Sequence, residues 1–396
     1  MNCIDTIFDE FKEIKSDIEI SISQMKADLG DMINHIVLYG AGSAGIAFLK
    51  YLNDVGIHPL YFADGKQEKW GIECQGLKII SPESIVQLVG ENALVIVTIN
   101  TDGKRYCKSF EETLRIAGHS GVHKLLRDCG CKNVIDYTYF RRCHSLFCND
   151  PYNLPSCSDV ELMVKNQSAV SKVYDWFDDD LSRETFEKIV RFRLIDDSIS
   201  VPTLAQDEQY FESELYSVRD DACFVDCGAF NGISLDTFLK KNKKFEKYYG
   251  FEPDRFNFDN LQEHIYLFPD DVKSRCTIFN SAVYDKYGQA MLYSLEGPGS
   301  FMADIGKEVV NTVKIDDVLE GQKATYIKMN IEGSEIKALE GAENTIKTFK
   351  PDMAIAGYHK TLDLWSIPML VKAYREDYKI YLRSYMNHIS FVYYFR

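Results

Sequence analysis

The sequence predicts an α/β protein: two parallel-sheet units joined by a helical connector, the second sheet finishing in an antiparallel hairpin. Three observations carry this. Two glycine turns, "YGAGSAG" at 39–45 and "FVDCGAFNGIS" at 224–234, each follow a short apolar run and open a helical one. A chain makes a sharp strand-to-helix turn with close backbone approach in this way. Around both turns, short apolar runs alternate with helical periodicity, the mark of a parallel sheet. Finally, "YKIYLRSY" and "ISFVYYF" flank a short turn at Met386 to His388, so they pair as antiparallel neighbours.

The elements follow in order. Apolar residues at Ile4, Ile7, Phe11, Ile14, Ile18, Ile22, Met25 and Leu29 step by three and four, which predicts one amphipathic helix over 1–30. Its seam covers fewer than four clean heptads, so it is read as packing on its own chain, with a homodimer through this helix as the alternative. Over 31–135, "HIVLYGAGSAGIAFLKYL", "PLYFAD" and "ALVIVTI" give strand, glycine turn, helix and further strands. Over 136–215, the loop-like "CNDPYNLPSCSD" and the helical "DLSRETFEKIVRFRL", capped by Ser182, form the connector. Over 216–396 the alternation restarts, with strands "CFVDC", "KYYGFEP", "CTIFNSAV", "TYIKMN", "DMAIAGYH" and the final two.

Composition narrows the function. A chain of 396 residues implies two or three domains. A net charge of −15 argues against nucleic acid as a partner. No apolar run approaches the ~20 residues of a membrane span, and the acidic, amphipathic N-terminus is no secretory signal. Eleven cysteines without an export signal read as reduced thiols in a cytoplasm. Cys129, Cys131, Cys143, Cys148 and Cys157 cluster near His144, but one residue between the first two is too few for the common zinc pattern. They are read as ordinary thiols, and no metal site is assigned.

Ligands of open α/β sheets sit beyond the carboxyl ends of the strands. In the second unit those ends carry Asp226, Gly228, Asn231 and Gly232, then Glu252, then Ser281 and Ala282, then Asn330 and Glu332, then Tyr358 and His359. S-adenosylmethionine suits this set. Turn amides can hold its carboxylate; Asp226 or a turn carbonyl can take its ammonium; Glu252 can accept from both ribose hydroxyls.

The stretches "FVDCGAFNGIS", "GFEPD", "YIKMNIEGSEIKALEGA" and "GYHKTLDLWSIPML" resemble FkbM-family methyltransferases over about 175–396, as do the preceding "LSRETFEKIVRFRL" and closing "YLRSY". The resemblance implies a class I methyltransferase Rossmann-like sheet, S-adenosylmethionine as cofactor, and methylation of hydroxyls on sugars and other natural products. It places cofactor contacts on Asp226, Gly228, Gly232 and Glu252. The chain departs from the family's aspartate at Asn330 and from its frequent histidine at Ser384.

Methylating an alcohol requires its proton to leave. His359 is the first candidate base, because a neutral imidazole works near pH 7; its plain reading is a structural histidine. Glu332 can orient the acceptor, act as the base, or cap the following helix. Asn330, Glu332 and His359 together could instead hold a divalent cation. In the first unit, Gly40, Gly42 and Gly45 with Asp64 match a dinucleotide fingerprint, and the unit resembles small Rossmann domains that precede some FkbM-type enzymes. It binds a nucleotide or nucleotide-sugar, or is structural. The leading function is an S-adenosylmethionine-dependent O-methyltransferase acting on a sugar or glycan. The alternative is a nucleotide- or nucleotide-sugar-binding protein with a degenerate methyltransferase domain. An NAD-dependent oxidoreductase using the first loop ranks last.

Overall fold

The computed structural model describes residues 2–18, 20–99, 110, 114, 121–142, 157–195, 201–242, 244–293, 301–302, 308–386 and 390–396. The chain divides into two compact units, Met1–Gln167 with Val190–Ile199, and Ser168–Ile189 with Ser200–Arg396. The predicted connector is thus shared between them.

In the first unit the N-terminal apolar seam lies on two helices, Cys3–Ile18 and Ile22–Leu29, and not on one. Ser21 explains the break. Its hydroxyl accepts the Gln24 N–H at 3.1 Å, the serine half of an S-x-x-Q capping signature. Ile4, Ile7, Phe8 and Phe11 are buried, as are Met25 and Leu29, which pack with Ile36, Phe48 and Phe62. The sheet comprises β1 (Ile36–Tyr39), β2 (Tyr61–Ala63), β3 (Glu73–Cys74), β4 (Leu77–Ile80), β5 (Leu94–Val97) and β6 (Asn133–Asp136), in the order β3-β4-β2-β1-β5-β6. All its pairs are parallel except β3 with β4.

The second unit holds β7 (Cys223–Cys227), β8 (Lys247–Phe251), β9 (Cys276–Phe279), β14 (Tyr326–Met329), β15 (Asp352–Ala356), β16 (Ile380–Met386) and β17 (Ser390–Phe395). Their order is β16-β17-β15-β14-β7-β8-β9. Five strands run parallel and β17 pairs antiparallel with both β15 and β16. The predicted hairpin is present, its turn residues 387–389 lying outside the described residues.

Two local expectations change. "CTIFNSAV" is not one strand. It breaks after Phe279, and Ala282–Val283 forms β10 in a separate four-stranded sheet with β11 (Gly288–Tyr293), β12 (Phe301–Met302) and β13 (Glu308–Val313), ordered β10-β13-β11-β12. Its described core is small, Ala282, Leu292 and Val310, and much of β13 and the start of β11 is exposed, unlike the strands of a sheet buried on both faces. The helix Asp180–Leu194 buries Phe186, Ile189, Val190 and Leu194 as expected. Its cap, however, is Asp179, whose carboxylate accepts the Ser182 N–H at 2.8 Å. Ser182 is buried and its hydroxyl instead accepts from Leu382 N–H at 2.9 Å and Arg383 at 3.0 Å.

Candidate active site

The register sets the site. Asp226 of β7 lies between Gly250 of β8 and Lys328 of β14. Its carboxylate is fully buried. It meets the Lys328 ammonium at 3.0 Å and accepts from Tyr248 at 3.1 Å and from Ser234. Lys328 also donates to the Gly228 carbonyl at 2.6 Å. Asp226 therefore anchors the turn from below and is absent from the cavity wall.

The turn is used internally as well. The amides of Gly228 and Ala229 both donate to the Phe251 carbonyl at 3.0 Å, and that of Gly232 to the Ala229 carbonyl at 3.0 Å. The Phe230 N–H donates to Glu252 at 2.9 Å. These four amides are committed within the chain, so they do not supply the expected carboxylate cradle. The glycines are required by geometry instead. Gly228 has φ +81°, and a Cβ there would stand 2.0 Å from the Asn330 carbonyl oxygen; at Gly232, φ +96°, it would stand 2.7 Å from the His264 ring.

Above this turn is a cavity of about 390 Å³, within the roughly 300–1,000 Å³ of small-molecule sites. Gly228, Glu252, Ser281, Ala282, Asn330 and Glu332 lie on its wall; Asp226, Asn231, Gly232 and His359 do not. Glu252 ends β8. One of its oxygens accepts from Phe230, the other from the Asp254 N–H at 3.1 Å. Burial pushes its carboxyl up to about 7, although those two amide bonds pull the other way.

Part of the wall was missed from sequence: Gln206, Asp207, Gln209, Tyr210 and Phe211 precede the first strand. They are placed by long-range pairing. Leu204 N–H donates to Ser384 O at 2.8 Å, and Tyr210 N–H to the Tyr394 hydroxyl at 3.0 Å. Tyr210 sits at φ +70°, its ring 5.3 Å from the Lys328 ammonium. The one legible signal was the density of amides, acids and aromatics in "QDEQYF".

At the other end, the Asn330 side-chain carbonyl accepts from Tyr358 at 3.2 Å, and the Tyr358 ring lies 4.3 Å from that of His359. His359 Nδ1 is 2.9 Å from Glu335 and Nε2 is 3.4 Å from Glu332. Burial alone would lower its proton affinity, but the Glu335 charge and the Glu332 contact outweigh that and push it up to about 10. His359 is thus an imidazolium at neutral pH. Glu335, fully buried, faces the ring and favours its charged form over the neutral imidazole that the base reading requires. Glu335 resists burial and is held below its ordinary value by the His359 charge and its hydrogen bonds. Burial, then repulsion from Glu335, pushes Asp363 up to about 7.

In the first unit Gly40 has φ +111°, and a Cβ on Gly45 would stand 2.0 Å from the Gly40 carbonyl oxygen. Gly42 caps the helix Ser43–Asp54. The Asp64 carboxylate accepts from the amides of Ala41 and Lys66, both at 3.0 Å, and from Lys69 at 2.8 Å. Lys69 also donates to the Ala41 carbonyl at 3.1 Å. Burial opposes ionisation, but Lys69 and the amides hold Asp64 below its ordinary value. The acid expected at a ribose is consumed in tying down its own glycine loop. Asp64→Ala should lower this unit's stability by ~1–3 kcal/mol, since it takes the acceptor from the Ala41 and Lys66 amides. Amide hydrogen exchange over 36–64 reads it, and added NAD or nucleotide-sugar should not alter the loss.

Of the cysteine cluster, Cys129 and Cys131 are free thiols, and burial pushes Cys131 up to about 11; Cys143, His144, Cys148 and the Cys157 side chain lie outside the described residues. Among the described residues, no group of three or more His, Cys, Asp or Glu could hold a metal ion, and none of the helices is long and apolar enough to cross a membrane.

Residues 226–391 match the family model of the methyltransferase FkbM domain. The crystal structure of a methyltransferase FkbM from Methylobacillus flagellatus KT is similar at TM-score 0.74 and 23% identity, over 98% of this chain and 99% of that one. This shows a shared fold. A UDP-D-quinovosamine 4-dehydrogenase from Vibrio fischeri is 29% identical over 16% of this chain and 53% of its own, TM-score 0.15. A putative rRNA methylase from Clostridium thermocellum is 9% identical over 45% of this chain and 87% of its own, TM-score 0.31. No curated protein matches.

Proposed function

We infer, from the FkbM methyltransferase domain of residues 226–391, that this chain is an S-adenosylmethionine-dependent methyltransferase whose acceptor is a hydroxyl on a sugar, glycan or related natural product. The observation that carries this reading is a shared wall. Buried Glu252 faces the same cavity as Asn330 and Glu332.

The residues fit the cofactor. Each Glu252 oxygen accepts one amide and keeps a lone pair for a ribose hydroxyl. When bound, S-adenosylmethionine supplies an electrophilic methyl on a sulfonium, which departs as a neutral thioether. The chain must orient the acceptor and remove its proton. Asn330, steadied by Tyr358, can hold the acceptor, and Gln206, Asp207 and Gln209 on the wall offer partners to further hydroxyls. Glu332 is the carboxylate on the wall beside the imidazolium and takes the acceptor's proton. The free thiols Cys223, Cys227 and Cys276 suit a reducing cytoplasm.

Calorimetry with S-adenosylmethionine, followed by labelled methyl transfer to a panel of sugars and nucleotide-sugars, tests the reading. Saturable binding and transfer are expected. Absence of cofactor binding by the full chain overturns it. Binding without transfer, restored by Asn330→Asp, would support the degenerate-domain alternative, which the amide at position 330 favours.

Glu252 makes binding depend on pH. Its ionised form accepts from the diol, so affinity should weaken as pH falls from 8 to 6, approaching tenfold per unit below the carboxyl's value near 7. Calorimetry at three pH values checks this. Stability of the free protein runs the other way. The folded value lies above the ordinary 4.5, so this group's contribution is fully present below 4.5 and is lost as pH rises through 7, at most about 3 kcal/mol.

A further inference from the structure

We propose that Glu335 is a positioning residue of the transfer site: through His359 it fixes the Glu332 carboxylate on the cavity wall, where Glu332 receives the acceptor's proton. This rests on the methyltransferase reading above.

Glu335 opens the helix Glu335–Glu340 and is fully buried. A buried carboxylate persists only when paired and hydrogen-bonded, and one of its oxygens has two partners. It accepts the Ile331 N–H at 2.9 Å and faces His359 Nδ1 at 2.9 Å. Ile331 lies within the turn 330–334 that carries Asn330 and Glu332. One carboxylate thus ties that turn, at the end of β14, to the histidine beyond β15.

The imidazole passes the constraint on. Its other nitrogen is 3.4 Å from Glu332. Neither contact has hydrogen-bond geometry, so the ring meets the two carboxylates as a charge, and a neutral ring would turn an unprotonated nitrogen's lone pair toward an acceptor-only carboxylate. Glu332 itself sits at φ +52°, a left-handed conformation costing roughly 1–2 kcal/mol in a non-glycine residue. Such strain persists where the surroundings over-determine the backbone, as the Ile331 bond and the His359 contact do here.

Among the described residues, the charged and titratable groups around His359 are Glu332, Glu335, Tyr358, Lys360 and Asp363. The Tyr358 ring packs against the imidazole at 4.3 Å, tilted by 50°. Asp363 accepts the Lys360 N–H at 2.8 Å, and the Lys360 ammonium donates to the Gly333 carbonyl, bracing the same turn. Glu335 and His359 offset each other in charge, so the carboxylate left to accept a proton is Glu332, the one on the cavity wall. Glu335 acts through that residue and does not touch the cavity.

The full chain is used, with Glu335→Gln, Glu332→Gln and the double variant. Three readings are taken: the His359 ring resonances from pH 6 to 9, methyl transfer, and cofactor affinity by calorimetry. In the wild type the His359 resonance should not titrate between pH 6 and 8.5. In Glu335→Gln its midpoint should fall into that window, kcat should fall ~10- to 100-fold, and cofactor affinity should stay within about twofold. Because Glu335 works through Glu332, adding Glu335→Gln to Glu332→Gln should cost nothing further, which a merely structural role would not produce. An unmoved His359 midpoint, or fully multiplicative losses in the double variant, overturns the proposal. Should Glu335→Gln fail to fold, Glu332→Gln decides, its side chain being 31% exposed: the His359 midpoint must drop and turnover must fall. Failure of the wild type to bind S-adenosylmethionine strikes the methyltransferase reading instead, and is seen separately by calorimetry.

Discussion

Glu252→Ala should remove measurable S-adenosylmethionine binding while leaving the protein folded. The carboxylate is buried at the end of β8, on the cavity wall, with a free lone pair on each oxygen. A hydrogen bond to a charged group contributes about 1.5–3 kcal/mol, so losing two weakens binding by roughly 100-fold to 10,000-fold. Two opposing effects limit the change in stability. The variant strands the Phe230 and Asp254 amides, but it also relieves the chain of a carboxylate that burial penalises. The thermal midpoint at pH 8 should therefore move little compared with the change in affinity. Unchanged calorimetric affinity in a folded Glu252→Ala would refute the ribose contact. A Glu252→Gln variant serves as control, retaining one acceptor and losing the pH dependence.

Gly228→Ala should cost the C-terminal unit ~3 kcal/mol or more. Two effects coincide at this residue. A side chain at φ +81° is disfavoured by about 1–2 kcal/mol, and its Cβ would sit 2.0 Å from the Asn330 carbonyl oxygen. Neither segment can easily yield. Asn330 N–H is bonded to Cys227 O at 3.1 Å, and Met329 is registered against Cys227 across the β7–β14 pair. Gly321 is the internal control, with the same φ of +81° but nothing within 4 Å of its Cβ. Gly321→Ala should show the conformational cost alone. Denaturant midpoints of the two variants separate the effects; equal losses would mean that the close approach of 228 to 330 carries no stability.

The main sheet was legible because its strands are apolar runs bounded by turn residues, and parallel register then brings Asp226, Glu252 and Asn330 to one edge. The break at Ser21 was also legible, since Ser21 and Gln24 spell a cap, but the continuous apolar seam outweighed it. The β10–β13 sheet was not, because its strands are short and partly exposed, and β10 continues the apolar run of β9 in the sequence. The wall at 206–211 is held by bonds to residues more than 170 positions away, which no local pattern encodes. The surroundings of His359 were not legible for an electrostatic reason. Glu335 looks like an ordinary acid in a helix's first turn, and only the fold turns its carboxylate inward toward the imidazole.

The pairing of Lys328 with Asp226 has a consequence for how the chain is made. β7 emerges early in the C-terminal unit, yet its partner β14 follows a hundred residues later. At ~5–20 residues per second, a ribosome needs roughly 5–20 s to deliver it. Throughout that interval β7 has an open edge and a buried-to-be carboxylate without its counter-ion. Such non-local closure is slow and exposes strand edges to association. Tyr210, which needs Tyr394 to hold its amide, waits longer still. Cofactor binding during synthesis should therefore switch on late and in one step, and nascent chains arrested before residue 329 should be captured by chaperones without any affinity for the cofactor.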